Sequence, residues 1–97
     1  MLLPLLLSLA LSVTPNFGSE PQKVTLKFRL DQPTEYPICV WFDADGIQWK
    51  SCRDGNKDQL SYERTYTLDA GTYHIWIEAD GIRSTKATVV IQERIPQ

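Results

Sequence analysis

A single histidine, two cysteines and one methionine are all the imidazole and sulfur side chains in this 97-residue chain. That scarcity bears directly on catalysis. His74 has no serine or cysteine near it in an activating motif, so an activated nucleophile with its base has no recognisable partners. Paired carboxylates occur at Asp43/Asp45 and Glu78/Asp80, where turns put them in water. Charge of one sign is also lacking. Ten Lys and Arg against twelve Asp and Glu give a net charge of −2, with the signs interleaved. Nothing resembles the basic stripe that a nucleic-acid binder needs. No helical periodicity appears beyond the N-terminal apolar run, and that run is shorter than the roughly 20 residues a membrane-spanning helix requires.

What is present begins with that run. Met1 to Val13 has seven leucines in thirteen residues and no charge, with small residues at its end. It reads as the apolar core of a secretory signal, although no Lys or Arg precedes it. Ser8-Leu9-Ala10 and Ala10-Leu11-Ser12 both fit a small-x-small cleavage rule, and cleavage after Ser12 is preferred. The expected organisation is a signal peptide at 1–12, a linker or mature N-terminus at 13–21, and one domain at 22–97. The expected location is secreted, periplasmic or at the cell surface, with no stable membrane span after cleavage. A domain this short buries a modest core and gains from a covalent staple. Two cysteines in an exported chain read as one disulfide, not as a metal site.

The domain itself is patterned for strands. Val24, Leu26, Phe28 and Leu30 alternate with Lys23, Thr25, Lys27 and Arg29, the signature of a half-buried strand. Further strands are expected at 38–43, 47–52, 62–68, 73–79 and 83–92, divided by Asp/Gly turns and polar loops. Strands at such short spacing predict an all-β fold: a small antiparallel immunoglobulin-like β-sandwich of about six to seven strands. Leu68 to Ile77 is its most diagnostic stretch. A turn at Asp69-Ala70-Gly71 leads into a strand with Tyr73, Ile75 and Ile77 on one face and His74, Trp76 and Glu78 on the other. Tyr73 stands where sandwiches place a tyrosine corner, whose hydroxyl bonds to nearby backbone.

Register follows from the turns. If Asp45-Gly46 is a two-residue type I′ loop, Cys39 lies opposite Cys52 in a non-hydrogen-bonded pair, with Cα atoms about 4.5 Å apart. A three-residue loop would put the cysteines on opposite faces. The two-residue register also places Val40, Phe42, Ile47 and Trp49 on one face as a core set, and Trp41 opposite Lys50 on the other. For the second hairpin, a two-residue Asp80-Gly81 loop would face Ile75 and Ile77 with Lys86 and Ser84. A three-residue loop with Gly81 left-handed puts Tyr73, Ile75 and Ile77 with Thr85, Ala87, Val89 and Ile91, and is favoured for its single apolar face.

Trp41 and Asp45-Gly46, then Thr65-Tyr66, Gly71-Thr72-Tyr73, Asp80-Gly81 and the strand Thr88 to Ile91 form an ordered set of motifs. On these residues the segment 41–91 resembles the PKD-like branch of immunoglobulin-like sandwiches. The usual Trp-Asp-Phe-Gly-Asp-Gly is here Trp-Phe-Asp-Ala-Asp-Gly, which shifts the apolar alternation. The resemblance implies an extracellular interaction or spacer module and not an enzyme.

The candidate ligand-binding residues are Trp41, Trp76, His74, Lys50 and Glu78, all on the outer face. Two exposed indoles on one sheet suit stacking on a sugar ring or anchoring a protein partner. The competing arrangement packs Trp41 inward or under a loop and covers Trp76 with Lys and Arg stems. The acidic tips suggest calcium less than they suggest turn geometry, since each supplies two carboxylates where calcium takes about six to eight oxygens. No cofactor and no catalytic residue are assigned. Three roles remain open: a binding module for carbohydrate or protein, a structural spacer or assembly subunit, and an exported hydrolase inhibitor acting through Asp31 to Pro37 and Ala79 to Gly81.

Overall fold

A computed structural model describes residues 10–95, so most of the expected signal segment lies outside the described residues. Nine strand segments form two packed sheets, and the described residues contain no helix. The first sheet orders β1 (Ala10–Thr14), β3 (Gln22–Arg29) and β6 (Ser61–Leu68) as β1-β3-β6. The second contains β2 (Phe17–Ser19), β4 (Pro37–Ala44), β5 (Ile47–Asp54), β7 (Gly71–Ala79), β8 (Ile82–Arg83) and β9 (Ala87–Gln92). Its order is β2-β9-β7-β4-β5, and β8 pairs with β7. β2 runs parallel to β9; the other pairings are antiparallel. The all-β sandwich predicted from strand patterning is the observed fold.

The core comes from one face of each sheet. Val24, Leu26 and Phe28 of β3 meet Ile38, Val40 and Phe42 of β4, Ile75 and Ile77 of β7, and Val89 and Ile91 of β9. The period-two alternation is the cause: each of these strands sends every second side chain inward. The corner works as the sequence implies. Tyr73 is buried and donates its hydroxyl to the Asp69 carbonyl at 2.8 Å.

Both hairpins close with two-residue type I′ loops. Asp45 and Gly46 have φ of 54° and 81°, and Asp80 and Gly81 have 52° and 76°. Asp and Gly suit this loop because both central residues must be left-handed. In the first hairpin Cys39 therefore faces Cys52, and the disulfide is formed with a Cα separation of 4.1 Å.

The second hairpin corrects the three-residue expectation while keeping the predicted face. Ala79 pairs with Ile82 and Glu78 with Arg83, but beyond this point Ile75 pairs with Ala87 and Tyr73 with Val89. One extra residue is absorbed at 84–86, between β8 and β9. Ser84 makes this possible: its hydroxyl accepts the Ile77 N–H at 2.9 Å, a bond the ladder would otherwise supply, and its own N–H meets the Ile77 carbonyl. A bulge of this kind restores the apolar face after a short turn.

The segment 13–21, read as a linker, carries the end of β1 and all of β2. Leu11 and Val13 pack against the core, and the chain then passes to the other sheet at Pro15. Glu20 fixes the passage by accepting the Ala70 N–H at 3.0 Å and the Arg94 N–H at 3.3 Å. β1 also spans the cleavage point expected after Ser12.

Candidate functional site

The outer face of the second sheet gathers the predicted residues, but not as an open platform. Trp41 and Trp76 are directly paired across β4 and β7, and their rings stack 5.8 Å apart and 2° from parallel. Lys50 lies over Trp41 at 5.1 Å; Lys86 and Arg83 lie over Trp76 at 4.9 and 5.3 Å. Trp76 points outward, as alternation requires, yet it is 2% exposed. This corrects the expectation of a solvent-facing Trp76: the cationic stems and the neighbouring indole cover it. Trp41 is half-buried. Cation–π contacts of this kind contribute about 0.5–2 kcal/mol each, so the row stabilises the sheet. Both indole N–H groups are buried with no hydrogen-bond partner among the described residues.

The flanking residues are engaged as well. Glu78 meets Arg83 at 3.4 Å, and His74 Nδ1 lies 3.2 Å from the Thr88 hydroxyl. Asp43, opposite His74, accepts the Gln48 side-chain amide and the Gly46 N–H. The Gln48 bond, assisted by Gly46 and by the charges of His74 and Lys86, holds the Asp43 carboxyl below its ordinary range. The two acidic tips lie at opposite ends of the antiparallel β4–β7 pair. Among the described residues no group of three or more His, Cys, Asp or Glu is placed to hold a metal ion. The loops considered for an inhibitor do meet, through a 3.1 Å bond from the Thr34 hydroxyl to Asp80.

An open site lies elsewhere. The second sheet has five strands in its main order and the first has three, so β5 projects past the edge of the opposing sheet. Every residue of β5 is exposed or half-buried, so the opposing sheet does not close over its inward face. Ile47 is 68% exposed and Trp49 is 41% exposed. This corrects the core set: Val40 and Phe42 are buried, whereas Ile47 and Trp49 are not.

Trp49 is nonetheless held firmly. Its ring stacks on Phe42 at 5.3 Å and meets the edge of Tyr73 at 6.2 Å. Tyr66 from β6 meets Phe42 edge-on at 5.0 Å. Between these rings is a cleft of about 380 Å³ lined by Trp49, Tyr66, Tyr73, Ser51 and Asp69, with Phe42 at its side. That volume falls within the range of ligand pockets, about 300–1,000 Å³. The Tyr66 hydroxyl is buried with no hydrogen-bond partner among the described residues. Tyr73 is less acidic than an ordinary phenol because burial, then the charges of Asp69, Asp45 and Glu20, oppose its ionisation.

A larger cavity, about 680 Å³, lies between Lys27, Arg29, Gln59 and Tyr62 beside Ser12. Its aromatic residues are already committed. Tyr62 stacks on Phe28 at 5.3 Å, and its hydroxyl accepts the Asn56 N–H at 2.9 Å. Sequence reasoning misses the Trp49 cleft because alternation reports which side of a strand faces in, not whether anything stands opposite. Compared with known proteins, the chain matches no family model and no curated protein sequence.

Proposed function

We propose that this protein is a small exported binding module, not an enzyme, whose carbohydrate or protein ligand sits on the open flank between β5 and β6. One observation carries this reading: Trp49 is 41% exposed on the inward side of its strand, yet anchored on Phe42. A large apolar ring held rigid and wet is a feature of binding surfaces more than of packing. The leucine-rich N-terminus and the Cys39–Cys52 disulfide support a secreted, periplasmic or cell-surface location. The likeness to PKD-like domains supports an extracellular interaction role.

The test compares Trp49→Ala with Trp76→Ala in retention of ligands from the exported fraction and on a glycan array. Loss of binding in Trp49→Ala at unchanged fold supports the reading. Equal binding by wild type and Trp49→Ala refutes it.

A second reading, an assembly subunit, has one observation in its favour. β5 and β6 each end their sheet, and unpaired edges are templates for strand addition. Concentration-dependent self-association in sedimentation experiments, abolished by a proline within β6, would favour that role.

A further inference from the structure

The open flank has a chemistry of its own, and it favours one class of ligand. Resting on the binding-module reading, we infer that the Trp49 cleft is a subsite for a neutral sugar ring. A pyranose has an apolar C–H face and a rim of hydroxyl groups. It therefore needs an aromatic plane on one side and several hydrogen-bonding groups around the edge.

The cleft supplies both. Phe42 stacks against the Trp49 ring 8° from parallel, and Trp49 remains 41% exposed. Its uncovered part gives the sugar a flat surface that does not change conformation on binding. The edge groups are Ser51, Thr67 and the exposed Asp69 carboxylate. Tyr66 lines this cleft with its ring, and its hydroxyl is buried with no hydrogen-bond partner among the described residues. The acceptor character of Asp69 suits hydroxyl donors and disfavours anionic sugars. Among the described residues no cation lines this cleft, so a sulfated or carboxylated ring would find no charge partner here.

The outer row of Trp41 and Trp76 does not compete for this role. Trp76 is covered by Arg83 and Lys86, and a ring cannot stack where a cation already sits. The extent of the cleft suits one or two rings more than a long chain. Affinity is therefore expected in the micromolar to millimolar range.

The experiment titrates the purified domain with neutral cello-, chito- and laminari-oligosaccharides, followed by tryptophan fluorescence and by NMR shifts of indole N–H signals. Saturable binding is expected for at least one of the three, with the Trp49 indole signal moving and those of Trp41 and Trp76 unmoved. Trp49→Ala should weaken binding at least about tenfold. Trp49→Phe, which keeps a ring, should restore part of the affinity. Lys27→Ala, on the outer face of the other sheet, should bind as wild type does. Absence of saturable binding to all three sugars overturns the sugar assignment. If Trp49→Ala still abolishes retention of a protein from the exported fraction, the open-flank reading survives that failure. If sugar binds but moves Trp41 and Trp76 instead, both the cleft and the open flank are the wrong site.

Discussion

Replacing Trp76 with alanine separates packing from binding. An indole buries about 150–250 Å², and at roughly 25 cal/mol per Å² its removal forfeits about 4–6 kcal/mol. Trp76 is 2% exposed, so nearly all of that area is lost. Two effects reduce the figure. The indole N–H is buried with no hydrogen-bond partner among the described residues, and deleting it recovers about 1 kcal/mol. The covering groups, Arg83 and Lys86, also have flexible stems that can settle into the space. The expected loss is therefore about 3 kcal/mol, near the low end of large-to-small core substitutions. For a domain of this size that lowers Tm by about 12–24 °C. Trp49→Ala should cost less, about 1–2 kcal/mol, because Trp49 is 41% exposed and its loss leaves a dent and not a cavity. Urea titration with unchanged m-value measures both. Adding Trp41→Ala to Trp76→Ala should reveal a coupling of about 0.5–1.5 kcal/mol from the stacked pair. If Trp76→Ala costs no more than Trp49→Ala, the covered-ladder account of the outer face is wrong.

Four other expectations follow from the geometry. Ile75→Ala, which empties a fully buried site, should cost about 2–5 kcal/mol, and Tyr73→Phe, which loses the bond to Asp69, about 0.5–1.5 kcal/mol; denaturant midpoints give both. Thiol counting under denaturing conditions should find no reactive thiol in the oxidised protein, and reduction should destabilise it by at most about 3 kcal/mol, because the loop between Cys39 and Cys52 is short. Tyr73 holds its proton more tightly when folded, so the unfolded chain releases a proton first as pH rises. Its contribution to stability is then complete below the ordinary phenol range and declines above it; Tyr73→Phe should flatten this alkaline loss in pH-dependent unfolding. Finally, a chain starting at Leu11 should be more stable than one starting at Val13 by about 1–3 kcal/mol, since Leu11 packs on the core within β1; thermal unfolding of the two chains measures it.

Much of the sandwich was legible from local chemistry. Period-two alternation identified the inward faces of β3, β4 and β7. Asp45-Gly46 determined a type I′ loop, and that loop alone carried Cys39 to a position opposite Cys52. The Gly71-Thr72-Tyr73 corner announced its own hydrogen bond. These features depend on residues close in sequence, whose backbone preferences are set by steric fit within a turn or a strand.

Width, coverage and docking were decided by tertiary structure. Nothing local to Ile47 or Trp49 says that the opposing sheet stops short of β5; that follows from three strands facing five. Nothing local to Trp76 says that Arg83 and Lys86 will lie across it, because their placement depends on the bulge that Ser84 creates after the second turn. The N-terminal strands were missed for a similar reason. Leu11 and Val13 belong to an apolar run that resembles a leader, and their pairing with β3 becomes favourable only once the core they cover exists. Alternation determines the direction in which a side chain points, whereas exposure depends on what the rest of the chain brings to meet it.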